Sequence, residues 1–168
     1  MKSQIFNHRF TFSNIKFLLA FSLFQLLSLS PLSAQDTHSL LDDIARLRRV
    51  EAMYPDSIHP KYQAALQSLN FCVMNPHDAH TERLLAEAGQ TIAQLEKAKG
   101  ADLSDVCTLR GFLYMVRIVQ DPTRNGPKYY LDVLQNYEKA LKINPDNPLA
   151  QQLQQQFLEG MKQATGEN

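Results

Sequence analysis

Catalytic signatures are missing from this sequence. It contains no P-loop, no G-x-S-x-G, no H-E-x-x-H, no C-x-x-C and no dinucleotide glycine fingerprint, so the common phosphate cradles, nucleophile elbows and zinc-protease helices have no starting point. Six glycines in 168 residues leave little backbone able to wrap a phosphate. An excess of either charge is also absent, with 17 basic and 17 acidic residues. Nucleic-acid binding needs a concentrated basic field to displace counterions, and none is present. These absences predict a chain that is not an enzyme, with no catalytic residues, no cofactor-binding residues, no metal ligands and no nucleic-acid partner.

The apolar run "FLLAFSLFQLLSL" (17–29) follows Lys2, Arg9 and Lys16, and no acid precedes Asp36. Pro31 and the small residues Ser33 and Ala34 come next, which is the order of a secretory signal peptide. The reading is a signal peptide over 1–34, cut after Ala34, and a mature domain over 35–168 that is periplasmic or secreted without stable membrane insertion. An uncleaved membrane anchor is the alternative, since 17–34 is just long enough to span a bilayer if Pro31 is tolerated. Three of the 17 basic residues and none of the acids precede residue 35, so the remainder holds 14 against 17, a formal charge of −3.

Cysteine is scarce as well, and the only two are Cys72 and Cys107. An oxidising compartment invites a disulfide. Aligning the second helix on the fourth puts Cys107 level with position 60, so Cys72 lies about 12 residues further along the axis, roughly 18 Å away. Two buried free thiols are expected. Cys72, His77 and His80 also suggest a metal site, but three or four converging ligands are needed and the "NPHDAHTE" stretch reads better as a capping loop.

What the sequence does have is helical periodicity. After a polar lead, "QDTHS", the residues Leu40, Ile44, Leu47 and Val50 mark a first helix, stopped by "PDS" (55–57). A second begins at Pro60 and carries Tyr62, Ala65, Leu66, Leu69, Cys72 and Val73. A third runs from Asp78 or Thr81 to Lys99, buries Leu85, Ala88, Ile92 and Leu95, and stops at Gly100. The fourth, near 104–120, is apolar almost all round and reads as the most enclosed element. "QDPTRNG" (120–126) reads as a loop before a fifth helix from Pro127. In "NPDN" (144–147), Asn147 and Pro148 end that helix and open a sixth, whose stripe is Leu149, Leu153, Phe157 and Met161.

The same stop-and-start recurs at "YPDS" (54–57), "KGAD" (99–102) and "NPDN", spaced by 45 residues each time. Such a period suits stacked helical hairpins, because each hairpin must cover one apolar stripe with its neighbour. The stretch "LRGFLYMVRIVQDPTRNGPKYYLDVLQNYEKALKINPDNPLAQQL" (109–153) resembles tetratricopeptide-repeat-like proteins that gram-negative bacteria export to the periplasm. Its "R-x-x-x-DP" turn, "KY" stretch and "A-L-x-x-x-P-x-N-P" helix end carry the likeness, and "YPDSIHPKYQAAL" (54–66) is similar to an earlier hairpin junction in such proteins. The expected fold is all-α: antiparallel helical hairpins stacked as a short right-handed solenoid of about six helices.

Arg110, Tyr114, Arg117 and Asp121 form a polar line on the fourth helix, matched by Gln63, Gln67 and Asn70 on the second. On an inner curve this line would offer donors to a peptide or a polar ligand. The other reading braces the "QDPTRNG" loop, with Arg117 or Arg124 paired to Asp121. The six tyrosines read as packing residues. Arg46, Arg48 and Arg49 read as a solvated face, with an anionic-partner patch as the alternative. The function expected from all this is a non-catalytic exported module that binds a protein or peptide or joins an envelope assembly. A small-ligand or metal carrier, using the polar line or His77 and His80, is the alternative.

Overall fold

Six helices and no strand make up the described part of the chain, residues 34–165 of the computed structural model, with side chains described from 37 to 163. They are α1 (Ala34–Met53), α2 (Ile58–Met74), α3 (Thr81–Leu95), α4 (Leu103–Gln120), α5 (Pro122–Ile143) and α6 (Pro148–Thr165). The all-α expectation holds. The expected signal segment lies outside the described residues, apart from Ala34, which opens α1. No helix of the described residues is long and apolar enough to cross a membrane.

Sequence neighbours pack as antiparallel pairs, and α2 also lies on α4 and α4 on α6. Helix α4 therefore touches α2, α3, α5 and α6. This explains why ten of its 18 residues are buried, as its apolar circumference predicts. One continuous core joins Leu69 and Phe71 of α2, Leu85 and Ile92 of α3, Leu109 and Val116 of α4, Tyr137 of α5 and Phe157 of α6. A second, smaller cluster gathers Cys107, Ala140 and Ala150. The two cysteines thus sit in separate clusters, and both are buried free thiols.

The turn at 144–147 does what its residues dictate. Asn147 Oδ1 accepts from the Ala150 N–H at 3.0 Å, capping α6, while its Nδ2 donates to Ser104 Oγ and to Asp105 Oδ1, both at 2.9 Å. Ser104 Oγ in turn donates to the Ala140 carbonyl at 2.9 Å. One buried asparagine thereby ties together α4, α5 and α6.

Several boundaries differ from the periodicity. The "QDTHS" lead is helical, because nothing between Ala34 and Pro55 breaks a helix. Helix α2 starts two residues before Pro60, and the proline sits in its first turn where a missing N–H costs nothing. Helix α3 stops at Leu95 instead of Lys99. The Lys97 and Ala98 N–H groups close three-residue bonds to Gln94 and Leu95, and Gly100 takes φ +90°, the left-handed conformation that ends the run. "QDPTRNG" is not a loop: Asp121 alone separates α4 from α5 and caps α5 by accepting from the Arg124 N–H at 3.1 Å. Pro122 then occupies the first helical position and Pro127 lies inside α5. Asn125 Nδ2 donates back to the Arg117 carbonyl at 2.6 Å, satisfying the end of α4.

Candidate functional site

Two clefts flank α3, and the turn between α2 and α3 gives one imidazole to each. His77 lines the cleft toward α4 and α5, and His80 the groove toward α1. Both histidines are exposed. Among the described residues no group of three or more His, Cys, Asp or Glu is placed to hold a metal ion. The Cys72 thiol is buried, 3.6 Å from the Thr81 carbonyl. Burial pushes the Cys72 thiol up to about 12, only partly opposed by that Thr81 contact.

The cleft on the α4 side, of about 540 Å³, contains Arg117 and Asp121 of the expected polar line. Three of its polar side chains, Arg117, Gln120 and Glu82, are spent on one another. Arg117 Nη1 donates to both Glu82 oxygens, at 2.8 and 3.1 Å, and Gln120 Nε2 donates to Glu82 Oε1 at 2.7 Å. The Arg117 bonds, then the Gln120 bond, hold the Glu82 carboxyl below the ordinary carboxylate value. The expected Arg117 to Asp121 pairing is corrected accordingly: Arg117 reaches across to α3, and Asp121 is occupied as the α5 cap. At the other end of the line Arg110 pairs with Glu96, its Nη2 2.6 Å from Oε1. Between them Tyr114 stacks on Tyr129 with centroids 5.2 Å apart. Lys128 Nζ stands 4.7 Å from the Tyr129 centroid. The α4 line is therefore a row of braces to α3 and α5. Gln63, Gln67 and Asn70 of α2 are half-buried, and no hydrogen bond joins them to that line among the described residues.

The groove between α1 and α3, of about 570 Å³, is different in kind. Leu41, Ile44 and Ala45 fall on one stripe of α1 and face Leu84 of α3, giving it an apolar strip, while its other lining residues are polar or charged. Arg48 continues the same stripe. It is not part of a solvated face: its side chain is 24% exposed and turned into the groove, while Arg46 and Arg49 stay at the surface. Arg48 Nη1 donates to Glu51 Oε2 at 3.0 Å and to Thr91 Oγ1 at 2.8 Å. Its Nε and Nη2 are buried and have no hydrogen-bond acceptor. Glu87 Oε2 lies 3.7 Å from Nη2, too far for a bond, while Glu87 Oε1 is held by Arg83 Nη1 at 2.8 Å. A buried donor left unmet costs about 1–3 kcal/mol, so this guanidinium edge is the least satisfied polar feature among the described residues. Reading the arginines at 46–49 as one solvated face does not single out Arg48 from its two neighbours. The available signal was its i+4 relation to Ile44, which places it on the buried stripe.

No family model matches the chain, and no curated relative does. Among solved structures it is similar to the HusA haemophore from Porphyromonas gingivalis, with a TM-score of 0.59 and 25% identity, over 87% of this chain and 68% of that one.

Proposed function

We propose that the chain is an exported, non-catalytic carrier that holds a planar small molecule of the porphyrin class in the groove between α1 and α3. The observation that carries this reading is the likeness to a haemophore along 87% of the chain. The groove supports it: its volume falls in the range of small-molecule sites, and Leu41, Ile44, Ala45 and Leu84 give it an apolar strip among converging polar side chains. The cleft on the α4 side suits such a cargo less, because its lining is almost wholly polar and Arg117 is already paired with Glu82. The basic start and apolar run before Ala34 support export. The hairpins are read as a short tetratricopeptide-like solenoid. That arrangement is supported by α2, α4 and α6 lying side by side.

Native mass spectrometry of protein purified from its host, with a haem titration followed by visible absorbance, tests the reading. A one-to-one complex and a shifted haem band are expected. A bare chain mass together with an unperturbed free-haem spectrum contradicts it.

A second reading, a protein- or peptide-binding module of an envelope assembly, is favoured by one observation. Met53, Tyr54, Leu103 and Ile143 are exposed at 47–65%, and all four lie at the turns joining α1 to α2, α3 to α4 and α5 to α6. In an up-and-down bundle these turns share one end, and exposed apolar patches mark contact surfaces. Crosslinking in intact cells would then trap a partner through these turns, and substitution of Met53 and Tyr54 by serine would abolish the crosslink.

A further inference from the structure

The unmet edge of Arg48 has a specific shape. Nε and Nη2 lie on the same side of the guanidinium plane, the side that makes two parallel bonds to a carboxylate. Nη1, on the other side, is fixed by Glu51 and Thr91, which sets the orientation of the whole plane. We infer that this free edge anchors a carboxylate of the cargo, and that Glu87 is the resident anion beside it, held back by Arg83. The inference rests on the carrier reading for the identity of the cargo, and deepens it by naming the anchoring group.

Three observations converge. The edge is sealed from solvent and has no acceptor within hydrogen-bond reach. The nearest carboxylate, Glu87, stands 3.7 Å from Nη2 because its other oxygen is engaged by Arg83. Leu41 and Ala45 line the same groove above the buried Ile44 and Leu84, so an apolar body bearing the carboxylate has a narrow strip to lie against. Because the edge is covered, a carboxylate meets both N–H groups once the side chains over it part, with Glu87 staying on Arg83. A porphyrin with propionate side chains has that combination of a flat apolar body and a carboxylate at its edge.

Titrating the full folded protein with protoporphyrin IX and with its dimethyl ester, followed by porphyrin absorbance, tests the anchor. The wild type should bind the free acid more tightly than the diester by on the order of tenfold, the worth of one charge-assisted pair. Arg48→Lys keeps the charge but loses the fork, and should erase that preference. Glu87→Ala removes the competing anion and should tighten the free acid while leaving the diester unchanged. Circular dichroism melting checks that each variant folds, and the Glu87 arm stands by itself if Arg48→Lys does not. Equal binding of both porphyrins by the wild type, or a preference that survives Arg48→Lys, overturns the anchor and leaves the carrier reading intact. A wild type that binds neither porphyrin overturns the carrier reading and the anchor with it.

Discussion

Gly111 of α4 lies against the ring of Tyr137 of α5, so closely that a Cβ on Gly111 would stand 2.6 Å from Tyr137 Cε1 and 2.9 Å from Cδ1. The tyrosine is fully buried, and among the described residues the polar contact of its hydroxyl is a 3.8 Å approach to Met115 Sδ. The ring has no room to retreat, so the missing side chain at 111 sets how near α5 comes to α4. Gly111→Ala is expected to destabilise the fold by about 1–3 kcal/mol through overpacking, despite alanine being the better helix former. Thermal unfolding reads this directly, and an unchanged or raised midpoint would show that the two helices are not held at this distance.

Asn147 couples a cap to a buried network, and the two roles can be separated. Asn147→Ala removes both the α6 cap and the bonds to Ser104 and Asp105, for a loss of about 1–2 kcal/mol in urea unfolding. Burial first, then the Asp102 charge, hold the Asp105 carboxyl above its ordinary value, and the Asn147 bond opposes them. A raised folded pKa gives stability that is present below the unfolded value and lost as pH rises through the folded one. Without Asn147 that window widens upward, so the variant should lose more stability relative to wild type at neutral pH than at pH 4.

The bracing role of α4 predicts effects on stability and none on binding. Glu82 is largely exposed, so its pair with Arg117 is worth less than about 1 kcal/mol after solvent screening. Its lowered pKa means that this contribution is present above the unfolded carboxylate value and disappears as pH falls through the folded one. Arg117→Gln should lower the unfolding midpoint slightly at neutral pH, match wild type in strong acid, and leave porphyrin affinity unchanged. A fall in affinity would return the α4 line to the binding site.

The two thiols should be silent in the native state. Burial raises both, Cys72 to about 12, so neither offers a thiolate to a disulfide reagent at neutral pH. Labelling should proceed only at the rate of unfolding, and stability should decline as pH rises from the ordinary thiol value of 9 toward 12, where only the unfolded chain ionises. Rapid stoichiometric labelling of the folded protein would contradict the burial of Cys72.

The helices were legible in the sequence because each hides a stripe with a clear period. Leu85, Ala88, Ile92 and Leu95 of α3 are buried as their spacing requires. The 45-residue recurrence located the three turns at 54–57, 99–102 and 144–147, the middle one opening earlier, at Glu96. Proline misled at the start of α5: Pro127 looked like a first helical residue, but Asp121 and Pro122 supply an earlier cap and start, and tertiary packing carries the helix through the second proline. The groove was less visible. Arg48 is one of three arginines within four residues, and sequence spacing gives no account of which guanidinium finds acceptors. Partners 43 and 35 residues away, Thr91 for Arg48 and Glu82 for Arg117, exist only once α3 has docked.

The most direct measurement is a heteronuclear NMR titration of the folded chain with metal-free protoporphyrin IX. The carrier reading predicts saturable shifts concentrated on Leu41, Ile44, Ala45 and Arg48 of α1 and on Leu84 and Thr91 of α3. The absence of any saturable shift, or shifts confined to Arg117, Arg124 and Tyr129 on the opposite side of α3, would contradict it.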